Sequence, residues 1–525
     1  MTKRVALSPN DSLWLNMDTA ENLMIIESVM WFDEPLELDA VLDTLRERLI
    51  GRYPVFTWRP ERPESGVGQD HWVADPAFRL EDHVHVHDVG AAAGYEAIQA
   101  FMGDRMSEPL PMGKPLWQAH ILNGEDVSAI VMRFHHAIAD GTALVRVLLD
   151  MTTDTPYGDS SDAAPAEFDE QLGAAAEAAE SAESPTRTDL SYAPENPPVD
   201  NVPVPSDRQQ VGTLDRTVGV LSNLVTWPLH LGAKATSSAA GLVQQLDPET
   251  EGGIASRLAG QARGTADLVD TLLVGTGTHL DSLPFGRPGI EKSADWAPPY
   301  PLDQVKQVAR TFGGTVNDVM MAALAGALRR YVVGRGELPR DVTTMIPVNL
   351  RPWDAPLPEH LGNKFALVAF ELPASAPTPQ ARLAVSKERM DVIKAGPEAI
   401  LTFGLAHAIG TVGTVTSTLS RQLTAFFGNK AFGVTTNVPG PTTRRYFAGR
   451  EMVGVLGWVP GASHQTLGAC IFSYNGNVRV GFKADTAVIP DVANLVAAFD
   501  DEMADLFAES AEQAAAAAQA TTPAT

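Results

Sequence analysis

The stretch HHAIADG, from His135 to Gly141, places two adjacent histidines and an aspartate between an apolar run and a helical pattern. The preceding run SAIVMRF, residues 128–134, is short and mostly apolar, which predicts a buried strand. After Gly141, apolar residues recur at helical spacing, at Leu144, Val145, Leu148 and Leu149. The motif is therefore expected on a strand-to-helix turn, where side chains project into a cleft.

The chemistry of this motif points to base catalysis. Histidine, with an ordinary pKa of about 6.5, accepts a proton at neutral pH and returns it later in the same cycle. A thioester carbonyl is reactive enough for a base-activated hydroxyl to attack it directly, with no nucleophile from the protein. This fits a sequence that has neither a G-x-S-x-G elbow nor a cysteine near the motif.

The two histidines are expected to have different roles. Strand alternation places His136 and His135 on opposite faces, so that one faces the cleft and the other supports it. Asp140 stands just ahead of the helix, where it either accepts backbone N–H bonds or pairs with a buried arginine. Gly141 then permits a tight turn. The alternative is that two histidines and a capping aspartate simply end a strand.

Composition limits the class of protein. A chain of 525 residues, 44% of them hydrophobic, predicts two or three domains, of which we expect two. A net charge of −26 argues against a nucleic-acid partner. One cysteine, Cys470, leaves no internal disulfide and no cysteine-based zinc site. The N-terminus lacks a secretory signal, and no run of about 18 apolar residues is present, which predicts a cytoplasmic protein.

Changes in composition and periodicity along the chain predict five segments. They are a first domain at 1–155, an acidic, Pro/Ala-rich flexible linker at 156–210, a helical connector at 211–296, a second domain at 297–510 and a disordered tail at 511–525. Within the second domain, an apolar stripe after Asn317 predicts a helix, and Asn475-Gly476 predicts a hairpin. The apolar face of residues 211–225 either packs on its own protein or meets lipid.

The run HVHVH raises the question of a metal site. His83, His85 and His87 alternate and would share one strand face. Because no further ligand can be tied to them from the sequence, we expect an exposed strand face and no metal. The chain also lacks a complete dinucleotide fingerprint and a phosphate-binding loop.

HHAIADG resembles the HHxxxDG motif of the chloramphenicol acetyltransferase-like superfamily of CoA-dependent acyltransferases. Further landmarks resemble the bacterial wax ester synthase/diacylglycerol acyltransferase (WS/DGAT) family and follow the chain in order. They are LSPNDSLWL at 7–15, PLW at 115–117, NDVMMAA at 317–323, PVNLR at 347–351, GN at 362–363, NVPGP at 437–441 and SYNG at 473–476.

The resemblance implies a mixed α/β (α+β) fold of two chloramphenicol acetyltransferase-like domains, with the active site in a tunnel between them. His136 would be the general base that activates an alcohol, while His135 and Asp140 hold the geometry. Asn317 and Asp318 match a motif near the family's active centre, although on their own they indicate helix capping.

The same resemblance implies the ligands. Acyl-CoA would be the co-substrate, with no separate cofactor and no metal, and Arg444 and Arg445 are candidates for contact with the CoA phosphates. The acceptor would be diacylglycerol or a fatty alcohol, and the protein would make peripheral contact with the inner membrane or with lipid droplets.

Two departures weaken any transfer of acceptor preference from the family. The acidic insertion is long, and Ile25 and Ile26 stand where a histidine and a valine are often found. Two alternatives therefore stay open: a related acyltransferase that esterifies another lipid or polyketide alcohol, and a catalytically silent acyl-CoA-binding or lipid-binding protein.

Overall fold

Residues 4–63, 68–89, 94–156, 288–351, 356–395 and 431–520 are described in a computed structural model of the chain. All of these residues lie in one compact unit. The acidic linker predicted after residue 156 and the stripe at 211–225 lie outside the described residues.

The first part of the chain alternates short strands with helices. Its helices are α1 (Pro9–Met17), α2 (Leu38–Thr44, continued by a π-helical turn at Leu45–Ile50), α3 (Tyr95–Met106) and α4 (Gly141–Asp150). Its strands are β1 (Arg4–Ala6), β2 (Ile25–Phe32), β3 (Trp58–Glu61), β4 (His71–Ala74), β5 (Val84–Asp88), β6 (Trp117–Asn123) and β7 (Ser128–His135).

The second part has the same mixed character. Its helices are α5 (Leu302–Phe312), α6 (Val316–Gly334), α7 (Pro379–Ala395) and α8 (Val492–Ala520). Its strands are β8 (Lys292–Trp296), β9 (Tyr300–Pro301), β10 (Val342–Asn349), β11 (Phe365–Leu372), β12 (Gly433–Pro439), β13 (Tyr446–Phe447), β14 (Arg450–Trp458), β15 (Leu467–Tyr474) and β16 (Asn477–Asp485).

A six-stranded sheet holds the motif strand near its centre. Its order is β13-β14-β2-β7-β6-β5, and only the β5–β6 pair is parallel. Every residue of β2 and β7 is buried, which explains why both strands are nearly continuous apolar runs. Strand β14, from the second part of the chain, pairs with β2, so the two parts of the chain share this sheet.

A second, seven-stranded sheet is formed entirely after residue 291. Its order is β11-β10-β12-β15-β16-β8, with β9 also paired to β16. The predicted hairpin is confirmed: β15 and β16 meet at Asn475 and Gly476, whose φ angles of 46° and 77° suit a type I′ turn. Residues 71–74 join β1 and β3 in a separate three-stranded sheet.

Each large sheet has its own apolar core. The first core packs Trp31, Trp117 and Phe134 from the six-stranded sheet with Trp458 of β14. The second packs Phe482 of β16 against α6 and α8. The helix predicted after Asn317 is confirmed as α6, with its apolar stripe buried.

Three helices of the second core enclose an ion pair. Glu502 of α8 is fully buried and accepts a hydrogen bond from Arg382 Nε at 3.0 Å and another from Arg330 Nε at 3.0 Å. Gly326 of α6 faces this carboxylate, and a methyl group added at Gly326 would collide with Glu502. Glycine is therefore required here by close packing within a helix.

Replacing Gly326 with alanine should destabilise the protein because the Glu502 carboxylate must move away from its arginines. Disrupting a buried ion pair costs about 3–5 kcal/mol, and the better helix propensity of alanine offsets about 1 kcal/mol of that. The matched control is Gly334→Ala in the same helix, where an added methyl group meets no atom within 4 Å. Urea unfolding of both variants checks this; equal unfolding free energies would contradict it.

Two predicted boundaries differ from the structure. The last residues of the predicted helical connector form strand β8, because Lys292–Trp296 pairs with β16. The predicted disordered tail begins at 511, yet α8 continues to Ala520, through an alanine-rich run that favours helix. Among the described residues, no helix is both long enough and apolar enough to cross a bilayer.

Candidate active site

The HHxxxDG motif lies on the strand-to-helix turn that the sequence predicts. Strand β7 ends at His135, and α4 begins at Gly141 with Asp140 as its N-cap. The backbone N–H of His136 donates to the carbonyl of Met24, which extends the pairing with β2 beyond the strand. The turn therefore starts from a buried strand that is paired on both sides, with β2 and with β6.

His136 is buried and held on two sides. Its ring stacks on Trp14 of α1, with ring centroids 3.9 Å apart and an interplanar angle of 11°. Its Nδ1 lies 2.9 Å from Oδ1 of Asn363, in the turn that leads into β11. The segment that follows β7 of the six-stranded sheet and the segment that precedes β11 of the seven-stranded sheet therefore meet at this imidazole.

The Asn363 contact sets the chemistry of the ring. An amide oxygen only accepts hydrogen bonds, so Nδ1 of His136 carries the proton and Nε2 carries the lone pair. Burial lowers the pKa of His136 to about 3, while hydrogen bonds with its own backbone and with the Asn363 side chain oppose that shift. The imidazole is therefore neutral at physiological pH and able to accept a proton at Nε2.

His135 supports the turn. It is 1% exposed, and its Nδ1 accepts a hydrogen bond from the backbone N–H of Ala137 at 3.1 Å. Its Nε2 lies 3.8 Å from a carboxylate oxygen of Asp18, whose other oxygen accepts the N–H of Met24. The two histidines thus have different surroundings, as their alternation predicts.

Asp140 combines the two roles that the sequence left as alternatives. Its carboxylate accepts the backbone N–H groups of Ala143 at 2.7 Å and of Lys364 at 2.9 Å. It also lies 3.6 Å from Nη2 of Arg351, the arginine of PVNLR. Arg351 in turn donates to the carbonyl of Leu361 at 3.0 Å. Asp140 therefore ties the motif to the turn that carries Asn363.

The turn that carries Asn363 has an unusual backbone conformation. Leu361 and Gly362 both have positive φ angles, 54° and 73°, and the N–H of Gly362 donates to the carbonyl of Ile138 at 3.0 Å. A leucine in this conformation is strained, and such strain is found preferentially at functional sites. Gly141, by contrast, is not among the glycines with positive φ, so its φ angle is one that other residues also adopt.

Asn317 and Asp318 lie in the first turn of α6, which begins at Val316. Thr315 is the N-cap of this helix and Asp318 is the N3 residue of its capping box: Asp318 Oδ2 accepts the N–H and the hydroxyl of Thr315, both at 2.8 Å. Asn317 accepts a hydrogen bond from the side chain of Asn437 at 2.9 Å, which joins the ND and NVPGP landmarks. Within the described part of the chain, the hydrogen bonds of these two side chains are to Thr315 and Asn437 and not to His136.

The two arginines proposed for CoA differ. Arg445 is 4% exposed, and its guanidinium donates to the hydroxyl and the carbonyl of Thr152, both at 3.0 Å, and pairs with Asp154. This arrangement argues against the predicted CoA contact, because the donors of Arg445 are used inside the fold. Arg444 is exposed, and its Nε lies 3.4 Å from Oε1 of Glu451.

The HVHVH run is less exposed than expected. His83 is buried and its Nδ1 lies 2.8 Å from the carbonyl of Trp117. His87 Nε2 lies 3.1 Å from Nδ1 of His120 on the neighbouring strand, and His85 stacks on the same ring. Among the described residues, no group of three or more histidine, cysteine or acidic side chains is arranged to hold a metal.

Acid should destabilise the protein, because burial lowers the pKa of five histidines: His83, His85, His87, His120 and His136. Below a pH of about 6.5 the unfolded chain binds protons that these folded residues refuse, so stability is complete above that pH and falls towards the folded pKa values. Those values are about 2 for His120 and about 3 for His136.

When the pH falls from 7.5 to 5.5, protonation of His120 and His136 in the unfolded chain alone should lower the free energy of unfolding by roughly 2–3 kcal/mol. Urea unfolding at the two pH values measures the difference, and His120→Gln should remove about half of it. A free energy of unfolding that does not change with pH would contradict this expectation.

Sequence reasoning assigned no role to several residues of the site. Asn363 and Arg351 were noted only as parts of landmarks, and Trp14 as part of the N-terminal one. Asn363 contacts His136 across 227 positions of sequence. No local periodicity indicates a contact of that range. The only signal in the sequence was the GN landmark itself, which places a polar asparagine after a glycine.

Comparison with known proteins identifies the family of the chain. Residues 7–320, more than half of the chain, match the wax ester synthase/diacylglycerol acyltransferase catalytic domain. Residues 361–507 match the WS/DGAT C-terminal domain.

Relatives in Mycobacterium tuberculosis match along most of their length. A probable diacylglycerol O-acyltransferase is 24% identical over 454 residues, covering 84% of this chain and 82% of the relative. A putative diacylglycerol O-acyltransferase is 26% identical over 478 residues, covering 88% and 87%.

Two solved structures share the fold. A wax ester synthase/diacylglycerol acyltransferase from Marinobacter aquaeolei VT8 superposes with a TM-score of 0.60 at 17% identity, covering 97% of this chain and 100% of that one. The epimerization domain of tyrocidine synthetase B superposes with a TM-score of 0.51 at 11% identity, covering 98% of each chain. With the motif, its geometry and both domain matches in place, the chain belongs to the wax ester synthase/diacylglycerol acyltransferase family.

Proposed function

We propose that the protein is an acyl-CoA-dependent O-acyltransferase that makes triacylglycerol from diacylglycerol, and also wax esters from long-chain alcohols. The observation that carries the proposal is the buried His136 imidazole, whose Nδ1 is bonded to Asn363 and whose Nε2 is left as the basic nitrogen. Membership of the family and the names of the mycobacterial relatives support the substrate class.

The reaction requires one proton carrier. Nε2 of His136 takes the hydroxyl proton as the alcohol oxygen attacks the carbonyl carbon of the thioester. The tetrahedral intermediate then collapses, the carbon–sulfur bond breaks, and the imidazolium returns its proton to the departing thiolate. The products are one ester and free CoA, and no acyl group is attached to the protein.

The substrates suggest where the reaction takes place. Acyl-CoA is the co-substrate and supplies the activated acyl group, so the transfer itself needs no further cofactor. Diacylglycerol and long-chain alcohols reside in membranes and lipid droplets, which supports a peripheral contact of the protein with such a surface. Arg444, which is exposed, remains our candidate for a CoA phosphate contact.

The test is a competition between acceptors. Palmitoyl-CoA is supplied with equal amounts of dioleoylglycerol and hexadecanol in mixed micelles, and the lipid products are separated. We expect triacylglycerol as the main product and wax ester as the lesser one. A predominance of wax ester would overturn the assigned preference, and acyl-CoA binding without ester formation would favour the silent binding protein.

A further inference from the structure

A buried carboxylate lies behind the amide that contacts His136. Asp11 of α1 is 2% exposed, and its Oδ1 accepts hydrogen bonds from the backbone N–H of Asn363 at 2.9 Å and from the side-chain Nδ2 at 2.8 Å. The same Nδ2 donates to the carbonyl of His136 at 2.8 Å. Asp11, Asn363 and His136 therefore form one continuous chain of hydrogen bonds.

The direction of this chain matters because an asparagine amide has two different ends. With Nδ2 bound to Asp11, only Oδ1 faces Nδ1 of His136, and Oδ1 requires a proton on that nitrogen. If the amide rotated by half a turn, Nδ2 would face the ring, the proton would move to Nε2, and the lone pair would lie on Nδ1, where it would be bound to the amide. The carbonyl of His136 and the Asp11 carboxylate both disfavour the rotated amide.

The helix that carries Asp11 also carries Trp14, which is one turn further on and stacks on the same ring. Residues three positions apart lie on one face of a helix. A single helix thus presents both the carboxylate that orients the amide and the indole that fixes the plane of the imidazole.

We infer that Asp11 is a positioning residue of the acyl-transfer site: acting through Asn363, it selects the tautomer of His136 whose Nε2 is free to accept a proton. This inference rests on the proposed function for its kinetic consequences. The tautomer itself is a property of the protein alone.

The competing view is that Asp11 only caps α1. It is the third residue of a capping box in which the Ser8 hydroxyl accepts the Asp11 N–H at 3.1 Å, and the Asp11 carboxylate accepts the Ser8 N–H at 3.4 Å. Ser8→Ala weakens this cap and leaves the Asp11–Asn363 contact intact, so it is the matched control for Asp11→Asn.

The experiment compares the wild type, Asp11→Asn and Ser8→Ala in steady-state transfer from palmitoyl-CoA to dioleoylglycerol. We expect Asp11→Asn to lower kcat about tenfold or more, with the KM for palmitoyl-CoA changed less than about twofold. Ser8→Ala should keep its kcat while its thermal unfolding midpoint falls. Equal kcat values for all three proteins, or equal losses in both variants, would overturn the inference.

A second readout does not depend on activity. In protein labelled with ¹⁵N-histidine, the resonances lost in His136→Gln identify the ring, and their chemical shifts report which nitrogen is protonated. We expect a proton on Nδ1 in the wild type and a mixture of tautomers in Asp11→Asn. A pure Nδ1–H tautomer in Asp11→Asn would overturn the inference, whereas a wild type without acyl transfer would overturn only the proposed function.

An exchange variant adds a test of rescue. Asp11→Asn/Asn363→Asp places the carboxylate directly on Nδ1 and the amide behind it, so the acceptor at Nδ1 is restored. We expect recovery of the Nδ1–H tautomer and an acid limb of the kcat profile at higher pH than in the wild type, because a carboxylate stabilises the imidazolium. A tautomer mixture like that of Asp11→Asn would contradict the inference.

Discussion

Replacing His136 with glutamine should lower acyl transfer by about a hundredfold or more, because the variant has no group that accepts the hydroxyl proton. Glutamine retains a planar polar side chain that can lie beside Trp14, so the fold should be preserved. The measurement is the kcat for transfer from palmitoyl-CoA to dioleoylglycerol, and binding of palmitoyl-CoA should be nearly unchanged.

The matched control is the neighbouring histidine. His135→Asn keeps an acceptor near the position of Nδ1 for the Ala137 N–H. It should lose stability and some activity through the turn, but much less activity than His136→Gln. If His136→Gln kept near wild-type kcat while folded, the assignment of the base would be wrong.

Asp140→Ala should give the largest loss of stability. The carboxylate accepts two backbone N–H groups and faces Arg351, which is 8% exposed. Removing one partner of a buried charge pair costs about 3–5 kcal/mol, and loss of the helix cap adds about 1 kcal/mol. Urea unfolding measures the total.

The double variant Asp140→Ala/Arg351→Met separates the effect of an unpaired buried charge from the effect of the lost hydrogen bonds. It removes the buried charge that Asp140→Ala leaves unpaired, so a large part of the lost stability should return. Activity should not return, since the N–H of Lys364 and the carbonyl of Leu361 still lack the hydrogen bonds that Asp140 and Arg351 make to them. A single variant as stable as the wild type would show that this contact does not hold the site together.

Local patterns in the sequence predicted the elements that depend on neighbouring residues. The HHAIADG turn, the α6 stripe and the Asn475-Gly476 hairpin each depend on periodicity or turn chemistry within about ten residues. The role of Asp140 also followed from its place ahead of a helix. For such features the chemistry and the structure are encoded in the same short stretch.

Contacts between residues far apart in the sequence could not be predicted from local patterns. The pairing of β14 with β2, the contact of Asn363 with His136 and the choice of Arg351 for Asp140 all join distant positions. Burial of Arg445 likewise depends on residues 149–154, far from it in sequence. The same local sequence is compatible with an exposed or a buried arginine, so tertiary packing determines whether the side chain is available to a ligand.

The most direct test of the account is a single-turnover experiment with labelled palmitoyl-CoA and excess protein, first without and then with dioleoylglycerol. Direct transfer predicts that free thiol and triacylglycerol appear together, in equal amounts, only after the alcohol is added, and that His136→Gln forms neither. Release of thiol before the alcohol is added, with the labelled acyl group retained on the protein, would contradict a mechanism in which His136 is a base and no acyl-enzyme forms.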